Sequence, residues 1–389
     1  PDDGSDDVYF HLDPLWSDDD LDFVGIDNYL PLSDWRDGTE HLDYDNAGPT
    51  SIYDLDYLKG NSEAGEYYDW YYASEADRDA QARTPITDGA YGKPWVYRNK
   101  DIRNWWANEH HDRPGGVESG SPTGWTAKGK PIFFTELGCP AVDKGPNQPN
   151  VFYDPKSSES VLPHYSSGAR DDAAQRAYLQ AMLDYWGDED NNPGSGVYGG
   201  RMINRSWISV WSWDARMVPS FPQDETTWAD APNWEYGHWI SGRLGAAPAR
   251  ETIQDLLKKY DVENEDYRVN DMAGVVDAVV IDRVMSVRAV LEAIASAYLV
   301  HVHESQGKLR FASRIGEPVI RDIALADLVD IGSEQNGADR FLKTRGQETE
   351  LPDAVKIAYG DPVNDDLAGA VEARRSDGGP MRVSQVSLP

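Results

Sequence analysis

The run Lys130-Pro-Ile-Phe-Phe-Thr-Glu-Leu-Gly-Cys-Pro140 constrains the fold of this chain more than any other stretch. Pro131 to Thr135 is short, apolar and β-favouring, so it reads as a strand buried on both faces. The strand closes on an acid, Glu136, and Gly138 and Pro140 then stop it. A carboxylate at the C-terminal end of a buried parallel strand is where a (β/α)8 barrel places its chemistry. Strand alternation predicts that Ile132, Phe134 and Glu136 share one face, with the acid directed into the barrel mouth. The competing reading is an acid that merely caps a loop.

Two further segments favour the barrel. Asp22 to Tyr29 is a second buried-strand run, followed by Leu30, Pro31 and Leu32, and Arg205 to Asp214 is a third. On the third, Trp207, Ser209, Trp211 and Trp213 fall on one face. An indole at a strand's end can stack on the apolar face of a sugar. Trp213, nearest that end, is the platform candidate, whereas Trp207 and Trp211 read first as core packing.

The segments "DFVGIDNYLPL", "KPIFFTELG" and "WISVWSWD" resemble strands six, seven and eight of a retaining glycoside hydrolase barrel whose nucleophile sits on strand seven. That resemblance implies Glu136 as nucleophile and Tyr29 as its hydrogen-bonding partner. It implies Trp213 as the sugar-stacking residue, with Asp27 and Trp211 as further substrate-binding candidates. Residues 68–116 and 135–150 are similar to the barrel-like domain of the large baseplate protein of gene transfer agents and to related siphophage host-specificity proteins. The likeness extends over roughly residues 1–245. One departure stands out. A retaining glycosidase needs a second carboxyl about 5–5.5 Å from the first, and in that clan it lies on strand four within an Asn-Glu pair. No such pair precedes Asp22. The expectation is therefore an α/β chain carrying the C-terminal part of a TIM-barrel-like domain, its first strands lying elsewhere in a longer protein.

Composition sets the domain boundary. All 14 tryptophans lie between Trp16 and Trp239, and such a break in usage marks a change of domain. The small residues of 241–248 read as the linker, giving domains over 1–245 and 246–389. The net charge of −32 argues against nucleic acid and anionic lipid as partners. No apolar run reaches the length of a membrane span. The lone cysteine, Cys139, excludes an intrachain disulfide framework and reads as structural.

Between the first two strands, residues 32–130 form a long insertion, which is expected to carry structure or function of its own. Helices are predicted over about Glu63–Arg83 and Lys100–Asn108, with Tyr67, Tyr68, Tyr71 and Tyr72 as a buried stripe on the first. A third, amphipathic helix is predicted over Arg170–Trp186. Asp43 and Asp45 form only part of a calcium loop, and His110-His111-Asp112 reads as a surface cluster without zinc spacing. No metal or cofactor is expected.

The second part reads as α+β. Helices are predicted over Glu251–Lys259 and, capped by Ser286, over Val287–Tyr298. Strands are predicted at Val275–Ile281, Leu299–Glu304, Lys308–Ser313, Val355–Tyr359 and Ala370–Arg374, with Gln306-Gly307 as a hairpin turn. Residues 286–311, 345–361 and 370–375 resemble the tail hub domain that follows the barrel in the same baseplate proteins, and this domain too is expected to be incomplete. That likeness implies a homotrimer, other tail and baseplate proteins as partners, and a place in the virion tail baseplate. Three functions follow: a structural baseplate hub whose barrel binds or cleaves host surface glycan, an active retaining glycoside hydrolase, or an inactive carbohydrate-binding module.

Overall fold

A computed structural model describes residues 7–240 except 46–47, 155, 218–219 and 235. It further describes 247–314 except 271, 273, 277–278, 280 and 282, then 324, 352–361, 367–375 and 383–387. Of the linker expected at 241–248, residues 241–246 lie outside the described residues, and Ala247–Pro248 form a short strand. The chain is mixed α/β and divides into two compact units, Pro1–Ala246 and Ala247–Pro389.

The first unit is organised by three parallel strands, β1 (Val24–Asn28), β2 (Ile132–Leu137) and β3 (Ile203–Val210), with β2 in the centre. The three runs singled out by their apolar content are thus adjacent and parallel. One sheet face is the core. Val24, Ile132, Phe134, Leu137 and Ile203 are buried there against Tyr178, Met182 and Trp186 of helix α4 (Asp172–Gly187). That helix starts where Asp171 accepts a hydrogen bond from the Ala174 N–H at 2.9 Å. The open sheet of three strands is not a closed barrel.

The alternation expected along β2 does not persist. Val24, Gly25 and Ile26 pair with Ile132, Phe133 and Phe134, but Asp27 then pairs with Glu136, leaving Thr135 without a ladder partner. One extra residue on one strand moves every later side chain to the other face. Glu136 therefore sits on the face opposite Ile132 and Phe134, alongside its neighbour Asp27. Leu137 is turned into the core instead.

The face carrying Glu136 is aromatic and open. Trp207 lies 5.6 Å from Phe23 and 6.1 Å from Phe133, ring centre to ring centre. It is also 36% exposed, so the core-packing reading of Trp207 is not met. Trp211 is likewise half exposed.

The long insertion is held by buried polar contacts more than by helices. Helices α1 (Leu55–Gly60), α2 (Glu75–Ala80) and α3 (Ile102–Ala107) are short. The helix expected over Glu63–Arg83 is confined to α2, because Gly65 and Tyr67 take positive φ of 71° and 65° and break the turn before it starts. With it goes the tyrosine stripe: Tyr67 and Tyr71 are exposed, and the Tyr72 hydroxyl donates to Asp34 at 2.6 Å. Arg83 pairs with Asp34 at 3.1 Å and with Asp43. The Tyr57 hydroxyl also donates to Asp43, at 2.6 Å, so that acid is occupied within the fold rather than offered to calcium. His110 is buried, not a surface residue. Its Nδ1 lies 2.8 Å from Asp13, its Nε2 lies 2.8 Å from the Trp105 carbonyl, and its ring stacks on Phe10.

Lys100 is buried and titrates close to neutral pH. Its Nζ donates to the Pro31 carbonyl at 2.7 Å, and burial pushes its pKa from 10.5 down to about 7. Between these values the unfolded chain binds the extra proton, so stability rises with pH, by up to about 1.4 kcal/mol per unit. The buried Cys139 thiol has a raised pKa, which cancels the rise above roughly pH 8.5, the free thiol value, and the raised tyrosines reverse it near pH 10. Urea denaturation should therefore show a gain of about 1–1.5 kcal/mol from pH 7 to 8.5 in the wild type. Lys100→Met should flatten that rise, and an unchanged slope would refute the assignment.

The second unit contains helices α5 (Ala249–Lys259) and α6 (Val287–Ala297). Ser286 caps α6 by accepting from the Ala289 N–H at 3.3 Å. Strands β4 (Tyr267–Val269), β5 (Val300–Ser305) and β6 (Lys308–Ser313) form one sheet, with β6 central. Gln306 and Gly307 both have positive φ, the geometry of the tight turn that joins β5 to β6. The core gathers Ile253, Leu257, Val290, Ile294, Val300 and Phe311. A second sheet pairs β7 (Ala354–Asp361) antiparallel with β8 (Leu367–Arg374) and parallel with β9 (Val383–Ser387). The strand expected at Val275–Ile281 is seen at Val275–Val276, and part of the rest lies outside the described residues.

Candidate functional site

The C-terminal ends of the three strands and the loops that leave them build a cleft. The Tyr29 hydroxyl, one residue past β1, donates to Glu136 Oε2 at 2.6 Å. Burial, reinforced by Glu136 and Asp27, raises the Tyr29 pKa, so the phenol stays a proton donor at neutral pH. Gly138 permits this approach. A Cβ there would stand 2.6 Å from the Trp211 carbonyl and 3.1 Å from the Tyr29 ring.

Glu136 and Tyr29 line a pocket of about 380 Å³ together with Asn150, Phe152, Tyr153, Trp211, His238 and Trp239. One carboxylate among aromatic rings and amides suits a ligand with apolar faces and hydroxyl edges. His238 is fixed by its Nε2 on the Pro149 carbonyl at 2.6 Å, and burial lowers its pKa. The floor is tied to α4, where Gln175 donates to the Cys139 carbonyl at 2.9 Å.

A second pocket of about 370 Å³ shares Tyr29 and Asn150 with the first. It also includes Asp27, Glu66, Arg78, Asn147, Gln148 and His164. Asn147 is its anchor. Its amide donates to the carbonyls of Trp35 and His164, and its oxygen accepts from Ser33 and the Trp35 N–H. The insertion and the loop after β2 are thereby joined beside the site.

The structure brings Glu136, Tyr29 and Trp211 into one pocket and places Asp27 in the adjoining one, where Thr135 donates to it at 2.6 Å. Trp213 is 74% exposed and does not line either pocket, whereas Trp211 lines the first. Phe152, Tyr153 and Trp239, with the amides of the second pocket, escaped the sequence reading. The available signal was their position in the loops after β2 and β3, the edge where such sheets bind ligands. Among the described residues no group of three or more His, Cys, Asp or Glu could hold a metal ion, and no helix is long and apolar enough to cross a membrane.

Comparison with known proteins places the chain among the tail proteins of phage-like particles, with its site in the virion tail. The chain belongs to the GTA TIM-barrel-like domain family, whose model matches residues 1–222. A second model, described as a putative phage tail protein, matches residues 286–389. Among solved structures the chain is similar to one in the virion of a native gene transfer agent particle, at 29% identity and a TM-score of 0.34. That match covers 45% of this chain and 38% of the other, so the chain spans well under half the length of that relative. No curated protein matches.

Proposed function

We propose that this tail protein binds host surface glycan through the Glu136 cleft, the first unit being the glycan-binding barrel-like domain and the second a hub-like assembly domain. The observation that carries the reading is the Tyr29–Glu136 hydrogen bond at 2.6 Å inside an aromatic and amide-lined pocket. These features suit a saccharide: a fixed acceptor and amide partners for its hydroxyls, and flat rings for its C–H face. Its place in a baseplate, with other tail proteins as partners and a ring of three formed by residues 246–389, belongs to the same proposal. A repeated cyclic contact seals a tube without free edges.

Hydrolysis is the second reading, and it requires a carboxyl besides Glu136, which the resemblance places on strand four. A retaining glycosidase needs an acid/base carboxyl across the scissile bond from the nucleophile. Asp27 is the acid paired with Glu136 in the ladder, but Thr135 engages it and it lines the neighbouring pocket.

The test is titration of neutral oligosaccharides into the wild type, Glu136→Gln and Trp211→Ala, with reducing-end release followed in parallel. Binding weakened about tenfold or more by each substitution is expected, as for central anchors of a site. Equal affinity in all three proteins would overturn the reading, and glycan release abolished by Glu136→Gln would replace it with hydrolysis.

A further inference from the structure

Two pockets of nearly equal size lie side by side, with Tyr29 and Asn150 as their common wall. Their chemistry differs. The first carries the aromatic rings and Glu136. The second carries the side-chain amides of Asn99, Gln148 and Asn150, that of Asn147 being spent within the fold. Each volume falls at the small-molecule scale of about 300–1,000 Å³.

We infer that the cleft is a two-subsite site for a neutral oligosaccharide, with one ring held in the Glu136 pocket and the next read by the amides beyond Tyr29. This rests on the saccharide reading above and adds ligand length and charge to it.

Length follows from the shared wall, because a ligand confined to one pocket leaves the polar groups of the other unmatched. Gln148 makes the point. Its Oε1 is buried and finds no hydrogen-bond partner among the described residues, and buried acceptors are normally satisfied. A sugar hydroxyl or acetamido N–H supplies the missing donor.

Charge follows from the ion pairs. Among the described lining of the second pocket the one Lys or Arg is Arg78, and both its terminal nitrogens are on Glu66, at 2.9 and 3.3 Å. His164 has its pKa lowered, first by burial and then by Arg78, so it adds no positive charge at neutral pH. Lys100, behind the wall, spends its Nζ on the Pro31 carbonyl. Asp27 and Glu66 bring acid groups to the same pocket, and the chain carries −32 overall. A uronate or sialate would meet repulsion without a free cation to offset it.

The experiment is calorimetric titration of the intact 389-residue chain near neutral pH with glucose, cellobiose, N-acetylglucosamine, N,N′-diacetylchitobiose and digalacturonate. At least one neutral disaccharide should bind about tenfold tighter than its monosaccharide, and digalacturonate about tenfold weaker than that disaccharide. Gln148→Ala and, separately, Asn99→Ala should bring the disaccharide-to-monosaccharide ratio close to one, with melting temperature confirming the fold of each. A wild-type ratio near one overturns the second subsite, as does a ratio that both folded variants leave unchanged; the saccharide reading survives either result. Digalacturonate binding as tightly as the neutral disaccharide overturns the charge inference. Failure of every sugar to bind overturns the saccharide reading and this inference with it.

Discussion

Trp186→Ala is expected to lower the stability of the first unit by about 3–5 kcal/mol, the cost of removing a large aromatic side chain from a closed core. Trp186 is 1% exposed and meets the Phe134 ring edge-on at 5.9 Å. It is the residue through which α4 covers the central strand. The consequence reaches the site, because Phe134 and Glu136 lie on one strand with a single residue between them. The same helix end is tied to β3: Asn192 donates to the carbonyls of Trp186 and Ile203 and accepts from the Ile203 N–H. A cavity here is therefore bounded by β2, which carries Glu136, and by β3, which Trp211 directly follows. Every tryptophan of the chain lies in the first unit, so indole fluorescence during denaturation reports that unit alone. Trp213→Ala, at an exposed position, should change stability by no more than about 0.5 kcal/mol. A Trp186→Ala loss below about 1 kcal/mol would mean that α4 is not the cover the sheet depends on.

The parts of this fold that were legible in the sequence are those set by local pattern. Apolar runs mark β1 and β2, the spacing of Ala177, Met182 and Trp186 marks α4, and Gln306-Gly307 marks a hairpin. Each depends on residues close in sequence. The face of Glu136 was not legible, because a period of two carries no sign of the extra residue at Thr135; only the partner strand, about a hundred residues away, defines the bulge. The burial of His110 was hidden for the same reason, its acid being Asp13. A polar His-His-Asp triplet looks like surface until distant partners satisfy it. The tyrosines before α2 show the opposite error. Their helical spacing is real, but the left-handed backbone at Gly65 and Tyr67 overrides it. Of the site, Glu136 on β2 and Tyr29 just past β1 could be read from sequence, whereas Phe152, Tyr153 and Trp239 come from loops without periodic signal.

Arg78→Met should be the other severe substitution, with a loss of about 3–5 kcal/mol, because it leaves Glu66 buried without its cation. Both side chains are nearly inaccessible, and two nitrogens of Arg78 face the two oxygens of Glu66. Taking two charges out of water is costly, and their attraction offsets that cost only while both are present. Replacing the pair together, as Arg78→Met with Glu66→Leu, should therefore recover most of what the single change loses. The comparison separates charge from packing. The Arg78 guanidinium also lies over the Tyr72 ring at 4.8 Å, a contact that methionine cannot reproduce in kind. If the double variant is as unstable as Arg78→Met, the loss belongs to that aromatic contact and to the stem of the side chain. If it recovers, the pair is retained for a reason other than stability, since an apolar pair would serve the fold as well. Its position in the wall of the second pocket, where a neutralised Arg–Glu pair adds no net charge, fits the neutral-ligand reading proposed above.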